Sequence, residues 1–411
     1  LRIKHLLAEA FAGYGFVPID TPILEYTEIL LGKGGGDTDK QVYRFEDQGG
    51  RDVAMRYDLT VPFARYMAAH LGELYLPFKR FHMAKAFRGE NTQRGRYREF
   101  VQCDFDIVGT DAASADFEIV LMIERAFRAI GVDGVEIHIA HRGVFNTLLE
   151  ELGVSDGADE VMRVVDKLRK IGIDEVRRQL TELAGADATD RLLRLVAASG
   201  DNASVLSQMR SLVPSAEEYT NRIESILDAA ETLSISDRIV LDPSITRGLD
   251  YYTGIVFETF LSDLPGIGSV CSGGRYDDLA GLYTKERLPG VGASIGLDRL
   301  MAALEELGLA TTTSGAADAM IFCLDASLMG HYHAVADALR SAGLRVEVYP
   351  EAKKLGQQFA FAEKKGIPAA ILCGRDEYEV NTVNVRNMAT RESTDGVPVE
   401  RAIELVRRIR G

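Results

Sequence analysis

Two periods of hydrophobicity divide this chain. Between 100 and 107, Phe100, Gln102, Asp104 and Asp106 alternate with Val101, Cys103, Phe105 and Ile107, which predicts a strand with one buried face. A first strand run ends at Phe87 and Arg88, so 87–109 reads as a strand, a polar loop and a returning strand. The loop carries Glu90, Asn91, Gln93, Arg94, Gly95 and Arg96. Residues 135–141 (VEIHIAH) alternate in the same way. An amphipathic helix is expected near 1–14, and the prolines of the following FVPIDTPILE predict an edge strand. From 146 to 235 the period changes. DEVMRVVDKLRK, DEVRRQLTEL, TDRLLRLVAA and EEYTNRIESILDAAETL place apolar residues at i, i+3 and i+4. Ser215 followed by Glu218 predicts a capping box for the last of these helices. Strands return at 238–242 and 254–261, and a helix begins near Gly296.

These patterns predict a mixed α/β chain. Strand-rich segments at 1–145 and 236–309 flank a helical insertion at 146–235. A linker at 310–317 precedes a final β-α-β-α-β-β-α unit at 318–411, and no internal repeat or low-complexity tract is present. A length of 411 residues exceeds one ordinary core and predicts two or three domains. With 46% hydrophobic and 27% charged residues, the chain has the composition of a soluble globular protein. No apolar run reaches the ~18 residues of a membrane span, and no signal-peptide pattern opens the chain, so a cytoplasmic location and no membrane partner are expected. The first residue is Leu1 rather than Met, so further N-terminal residues are expected. Cys103, Cys271, Cys323 and Cys373 are far apart without a C-x-x-C pair, as in buried, reduced thiols. The net charge of −15 argues against a nonspecific nucleic-acid coat. Basic and acidic residues balance within 318–411, which leaves the final unit the part less repulsive to a specific RNA.

The candidate chemistry is concentrated in a few segments. The polar face of the returning strand, beside loop arginines, suits a small zwitterion lying next to a polyphosphate. A solvated, Arg-rich surface hairpin is the plainer alternative. In RYDLTVPFARY (56–66), after a GKGGGD loop, Asp58 and Thr60 would face the same way if extended, or form a turn pair. RGLDYY (247–252) precedes a strand, and its paired tyrosines could wall a flat ring. GVGASIG (290–296) invites a phosphate-loop reading, but a dinucleotide fingerprint needs a buried strand before it, and LYTKERLP is polar and proline-broken. Leu297, Leu300, Met301, Leu304 and Leu307 form the apolar stripe of the helix that follows. Arg299 falls in its first turn, where a cation opposes the helix dipole at ~0.3–1 kcal/mol, and a bound anion would account for it. His138 and His141 lie on opposite strand faces, and His331 with His333 lacks supporting cysteines, so no metal site is expected.

FRGENTQRGRYREFVQCDFDIVG (87–109) resembles motif 2 of class II aminoacyl-tRNA synthetases, and in detail that of the histidyl-tRNA synthetase family. RGLDYY and GSVCSGGRYDDLAG (268–281, with Gly273, Gly274, Arg275 and Tyr276) resemble its two histidine motifs, and the helix of Arg299 its motif 3. The order matches over essentially the whole chain, with motif 1 at the helix 1–14 and the strand around Pro22. The resemblance implies an antiparallel catalytic sheet in the two strand-rich segments and an anticodon-binding α/β domain at 318–411. It also implies a homodimer and a two-step, ATP-dependent ligation of L-histidine to tRNA-His, with Mg2+ entering on the ATP. Arg88 and Arg247 would act at the α-phosphate. Asp58, Leu59, Thr60, Arg88, Gln102, Asp106, Arg247, Tyr251, Tyr252 and Tyr276 would bind histidine. Arg88, Glu90, Arg96, Tyr97, Phe100 and Arg299 would bind ATP, with Gln93 and Arg94 at the tRNA acceptor end. Asp58 and Asp106 stand where many bacterial members have Glu. The alternative is a non-catalytic, histidine-binding regulatory paralogue, a class that generally lacks the C-terminal domain.

Overall fold

The computed structural model describes residues 1–31, 40–246, 251–277, 279, 281, 283–310 and 317–411, with side chains omitted at 159, 169 and 170. The GKGGGD segment and residues 247–250, with Arg247, lie outside the described residues. Two compact units are present, Leu1–Ala310 and Thr311–Gly411.

The strands of the larger unit are β1 (Val17–Pro18), β2 (Leu24–Tyr26), β3 (Arg44–Glu46), β4 (Asp52–Met55), β5 (Phe78–Phe87) and β6 (Glu99–Val108), followed by β7 (Val135–His141), β8 (Ile239–Leu241), β9 (Ile255–Leu261), β10 (Cys271–Tyr276) and β11 (Gly290–Gly296). Eight of them form one sheet in the order β1-β5-β6-β11-β10-β9-β7-β8, and β2-β4-β3 form a small second sheet. Pairing in the large sheet is antiparallel except at its two margins, where short β1 and β8 run parallel to their neighbours. Both β1 and the predicted VEIHIAH strand follow the sequence pattern, β1 with its Pro18 lying at an edge.

The back of the sheet forms the main core. Phe81, Cys103, Phe105, Ile107, Ile139 and Phe257 pack with Leu7 and Phe11 of the helix Arg2–Gly13 and with Ile119, Ile123 and Phe127 of the helix Ala113–Ala129. The Phe105 and Phe11 rings lie 4.8 Å apart. The front face departs from the alternation rule. From Gln102 to Val108 every residue of β6 is buried, because a half-buried strand was expected but an enclosed one is found. The helix Thr60–His70 covers its inner end, with Phe63 and Met67 packed against Phe78, Val108 and Tyr276.

Helices fill the region between β7 and β8, including Asn202–Leu212, which the periodicity did not single out. The last, Glu217–Thr232, has no capping box. A 3-10 turn at Pro214–Ala216 starts the segment, and the Ser215 hydroxyl bonds Glu151 instead. This helix is tied to the sheet by buried charge. Asp116 accepts from Arg222 Nε at 2.5 Å and from Arg275 Nε and Nη2 at 3.0 and 2.6 Å.

The smaller unit holds a five-stranded sheet, β13-β12-β14-β15-β16, made of β12 (Ala319–Ile321), β13 (Val346–Val348), β14 (Ala369–Leu372), β15 (Val383–Asn387) and β16 (Ser393–Val397). The first three pair in parallel and the rest antiparallel, with helices at Met329–Ser341, Leu355–Lys364 and Val399–Arg410. Strand β16 was not expected, since Ser393, Thr394 and Asp395 carry no apolar alternation, and β15 supplies its ladder partner. All four cysteines are free and buried.

Phe105→Ala should lower the unfolding free energy by about 3–5 kcal/mol, the cost of a cavity beneath Phe11. Chemical denaturation against an exposed control, Val380→Ser, expected within about 0.5 kcal/mol of the parent, checks this.

Candidate active site

Register determines what faces the cleft in front of the large sheet. Arg80 and His82 of β5 lie opposite Asp106 and Asp104 of β6, and those lie opposite Gly292 and Ser294 of β11. Gly292 is in turn opposite Gly274 of β10. Side chains in such rows share one face. Bulk from β5 and β6 therefore rises beside a glycine floor from β11 and β10. The glycines are needed for room. A Cβ on Gly292 would lie 2.1 Å from Asp106 Oδ1, and one on Gly274 would meet the Tyr252 ring at 3.0 Å. GVGASIG is thus a central strand rather than a phosphate loop, a point its glycines concealed.

A cavity of about 180 Å³ occupies this front face. Its outer part is cationic and aromatic, lined by Arg88, Glu90, Arg96, Tyr97, Phe100 and Arg299. Arg88 is clamped, its guanidinium 4.2 Å from the Tyr57 ring and 5.0 Å from the Phe100 ring, with Nε donating to the Tyr57 carbonyl at 3.2 Å. Arg299, in the first turn of the helix Leu297–Glu306, donates to the Ser269 carbonyl at 2.5 Å. Burial and then the nearby Arg96 push its pKa down, as expected where cations are gathered in a partly enclosed place. Of the stripe expected on this helix, Leu300 and Leu304 are buried, while Leu297, Met301 and Leu307 are partly so.

The inner part is lined by Thr60, Gln102, Asp104, Asp106, Tyr251, Tyr252 and Tyr276. Asp106 accepts from the Tyr276 hydroxyl at 2.5 Å and forms an ion pair with Arg80 Nη2 at 2.8 Å. Arg80 is fully buried, with its guanidinium 4.1 Å from the Phe63 ring. Burial drives the Asp106 carboxyl upward against the pull of Arg80, and raises Asp104 to about 7 for the same reason. Gln102 Nε2 donates to Ser294 Oγ at 2.9 Å.

Several expected residues stand elsewhere. Asp58 does not lie in an extended segment with Thr60. Its Oδ1 accepts from the backbone N–H groups of Thr60 and Val61 at 3.1 and 3.0 Å, holding the start of a helix, while Tyr251 reaches its Oδ2 at 3.4 Å. Asp58 is therefore one step behind the cavity wall. Leu59 is wholly buried and is not part of the lining. Arg94 is outside the cavity, donating to Glu306 at 2.7 Å, and Gln93 is exposed in the turn beside it. His138 pairs with Asp242 at 2.8 Å and His141 bonds the Gly143 N–H at 3.1 Å. Among the described residues no group of three His, Cys, Asp or Glu is placed to hold a metal ion. Sequence reasoning passed over Arg80, Ser272, Ser294 and Asp298, and took Asp104 only as part of the polar face of its strand. For Arg80 the signal was present in FKRFHMAKAF, where Arg80 and His82, two apart, place polar groups on one face of the strand.

An antiparallel sheet bearing an arginine-rich hairpin, beside a helix whose first turn carries a further cavity-lining arginine, is the architecture of a class II aminoacyl-tRNA synthetase. Comparison with known proteins resolves the member of that class. The family model for histidyl-tRNA synthetase matches residues 2–300, and that for an anticodon binding domain matches 318–409. Histidine–tRNA ligase of Treponema denticola is 48% identical over 98% of this chain and 93% of its own length, and that of Rhodopirellula baltica is 50% identical over 96% and 90%. The crystal structure of histidyl-tRNA synthetase from Nostoc sp. PCC 7120 superposes with a TM-score of 0.88 at 31% identity, covering 99% of this chain and 94% of that one. This chain belongs to the histidyl-tRNA synthetase family. A Bacillus halodurans protein titled as an ATP phosphoribosyltransferase regulatory subunit/histidyl-tRNA synthetase shares the fold at 23% identity and a TM-score of 0.77.

The raised carboxyl of Asp104 gives a prediction with a definite sign. Its folded-state pKa lies above the unfolded value, so the folded chain binds the extra proton and loses stability as pH rises from the ordinary carboxylate range toward 7. Asp104→Asn removes that liability. Relative to the parent, its unfolding free energy should therefore improve between pH 5 and pH 8, as read from denaturation curves at both values.

Proposed function

We propose that this chain ligates L-histidine to tRNA-His in two steps, with histidyl-adenylate and pyrophosphate formed first and the acyl group then passed to the 3′-terminal adenosine. The observation that carries the reading is the polarity of the cavity in a chain of this family. Arginines ring the outer end, and amide, carboxyl and tyrosine groups line the inner end. An amino acid entering with its carboxylate outward would meet the triphosphate at Arg88.

In this reading Arg88 bridges the α-phosphate and the histidine carboxylate, and the stacking of Tyr57 and Phe100 fixes its plane beforehand. Arg247 would neutralise charge at the α-phosphate from the other side. Arg299 and Arg96 hold the distal phosphates, and Glu90, Tyr97 and Phe100 face the nucleoside. Thr60, Gln102, Asp106 and the tyrosines 251, 252 and 276 surround the amino acid, with Asp58 acting through Tyr251. Little covalent help is needed from the protein. Alignment of the two reactants and neutralisation of the developing charge dominate such phosphoryl-centred reactions. Mg2+ is proposed to enter on the ATP phosphates, where it needs no protein cage. The unit at 318–411 is proposed to contact the anticodon, with Gln93 and Arg94 on the exposed loop toward the acceptor end. The regulatory alternative is less supported, because cationic groups suited to phosphate line the cavity and the relatives near 50% identity are named ligases.

Two further parts of the reading concern location and assembly. Among the described residues no helix is long and apolar enough to cross a membrane, and a cytoplasmic location is proposed from the family. A homodimer is proposed from the small sheet. Leu24, Tyr26 and Phe45 leave 49%, 46% and 44% of their surface exposed, and Tyr26 and Phe45 share one cross-strand row through Val53. An apolar row of this kind on an open sheet marks a contact surface.

Pyrophosphate exchange into ATP, assayed with each amino acid in turn, should proceed with histidine alone. Equal exchange with any other amino acid would overturn the proposed function. For the assembly, Tyr26→Glu combined with Phe45→Glu should convert a dimer to a species of 45.1 kDa in sedimentation equilibrium. A parent that sediments as a monomer contradicts the dimer.

A further inference from the structure

The helix Leu297–Glu306 carries two charges in places that its dipole disfavours. Arg299 lies in the first turn, and Glu306 is the last residue, with no basic residue in the last turn. Arg299 lines the cavity, as described above. Glu306 does not line it and has a different partner. Its Oε2 accepts from Arg94 Nη1 at 2.7 Å, and Arg94 Nη2 lies 3.4 Å from the Ala302 carbonyl. A guanidinium near the closing carbonyls of a helix is favoured by the same dipole that disfavours Glu306 alone.

Arg94 belongs to a tight turn. Gln93 and Arg96 exchange backbone hydrogen bonds at 3.1 and 2.8 Å, and Gly95 within the turn takes a φ of +72°. The turn rests directly on the helix, since a Cβ on Gly95 would lie 3.0 Å from Arg299 Cα and 3.4 Å from Ala302 Cβ. The start of the helix is tied to the returning strand, where Asp298 Oδ2 accepts from the Val101 N–H at 2.7 Å. The hairpin is thus anchored at both ends of the helix. Between the anchors Arg96 and Arg299 line the cavity together. Two cations sharing a partly enclosed place repel each other, and Glu90, 3.6 Å from Arg96, offsets this only in part. Such side chains separate unless the backbone beneath them is fixed.

We infer that the Arg94–Glu306 pair is a clasp outside the cavity that positions Arg96 beside Arg299, and so strengthens the binding of a polyphosphate that neither Arg94 nor Glu306 touches. The inference rests on the ATP reading above. Glu306 is then a positioning residue acting through the turn, and Arg94 can meet an RNA phosphate only by releasing it.

The test is the sign of one substitution. Glu306→Arg adds a cation near a site for a polyanion, so long-range attraction alone would tighten ATP binding. Loss of the clasp predicts the reverse. Calorimetric titration of the full chain with Mg-ATP, in the absence of RNA, should give a Kd raised about fivefold, the upper range for an exposed ion pair. The KM for ATP in pyrophosphate exchange should rise equally, while that for histidine changes less than about twofold. Arg94→Glu should also weaken ATP binding, and combining it with Glu306→Arg should return the Kd to within about twofold of the parent. An arginine ending the helix suits its dipole, so the unfolding midpoint of Glu306→Arg should match the parent. A Kd that is unchanged or lowered in Glu306→Arg overturns the inference, and it is the result expected if Arg94 serves only the acceptor end. Failure of the exchanged pair to recover ATP binding overturns it as well. Exchange that does not depend on histidine refutes the proposed function instead, while the Kd for ATP still decides the clasp.

Discussion

Placing Asp104, Asp106 and Arg80 together in the interior of a sheet, none more than 3% exposed, is the constraint to which the rest of the larger unit is adapted. An ionised carboxylate in such a place must be paired or protonated. Asp106 is paired with Arg80, and Arg80 in turn lies under the Phe63 ring, so the helix Thr60–His70 closes over the pair. That helix is started by Asp58, whose carboxylate bonds its first N–H groups and also meets Tyr251. The same acids that give the cavity its inner polarity therefore hold its roof and one wall.

Space is the complementary requirement. The central strands must pair continuously, yet the row through Asp106 has to leave room for its carboxyl and for the aromatic ring of Tyr252. Glycine at 292 and 274 allows both. Behind the sheet the opposite solution is used. Arg275 projects from β10 next to Gly274 and joins Asp116, which is also held by Arg222 from the inserted helices. Asp116 is fully buried, and burial raises its carboxyl while both arginines oppose that. The strand carrying the cavity tyrosine is thus fixed from the rear by a helix that never reaches the cavity.

How much of this could be read from the chain depended on the kind of signal. Strand β6 and the strand at Val135–His141 are legible because apolar residues alternate along them. The helix of Arg299 is legible from its apolar stripe, and its cation stands out because a first-turn arginine conflicts with the helix dipole. Strand β11 was obscured because its glycines serve close packing, a tertiary need that mimics a loop composition. Arg80 was missed because a single strand does not reveal which charge will face it across the ladder. Asp58 was left between an extended segment and a turn pair with Thr60, because spacing alone cannot distinguish a strand face from a carboxylate holding the start of a helix. Ser215 satisfied a capping pattern, yet its hydroxyl found Glu151, sixty-four residues away in sequence.

The margins of the large sheet carry a consequence of a different kind. Each is finished by a strand of two or three residues, Val17–Pro18 at one side and Ile239–Leu241 at the other. Proline removes a backbone donor at the first. A wide sheet with long outer strands offers a neighbouring chain a ready template for further pairing. Here the outer rows are too short and, at one margin, too poor in donors to seed such growth. An eight-stranded sheet finished in this way offers other copies little backbone to pair with edge to edge.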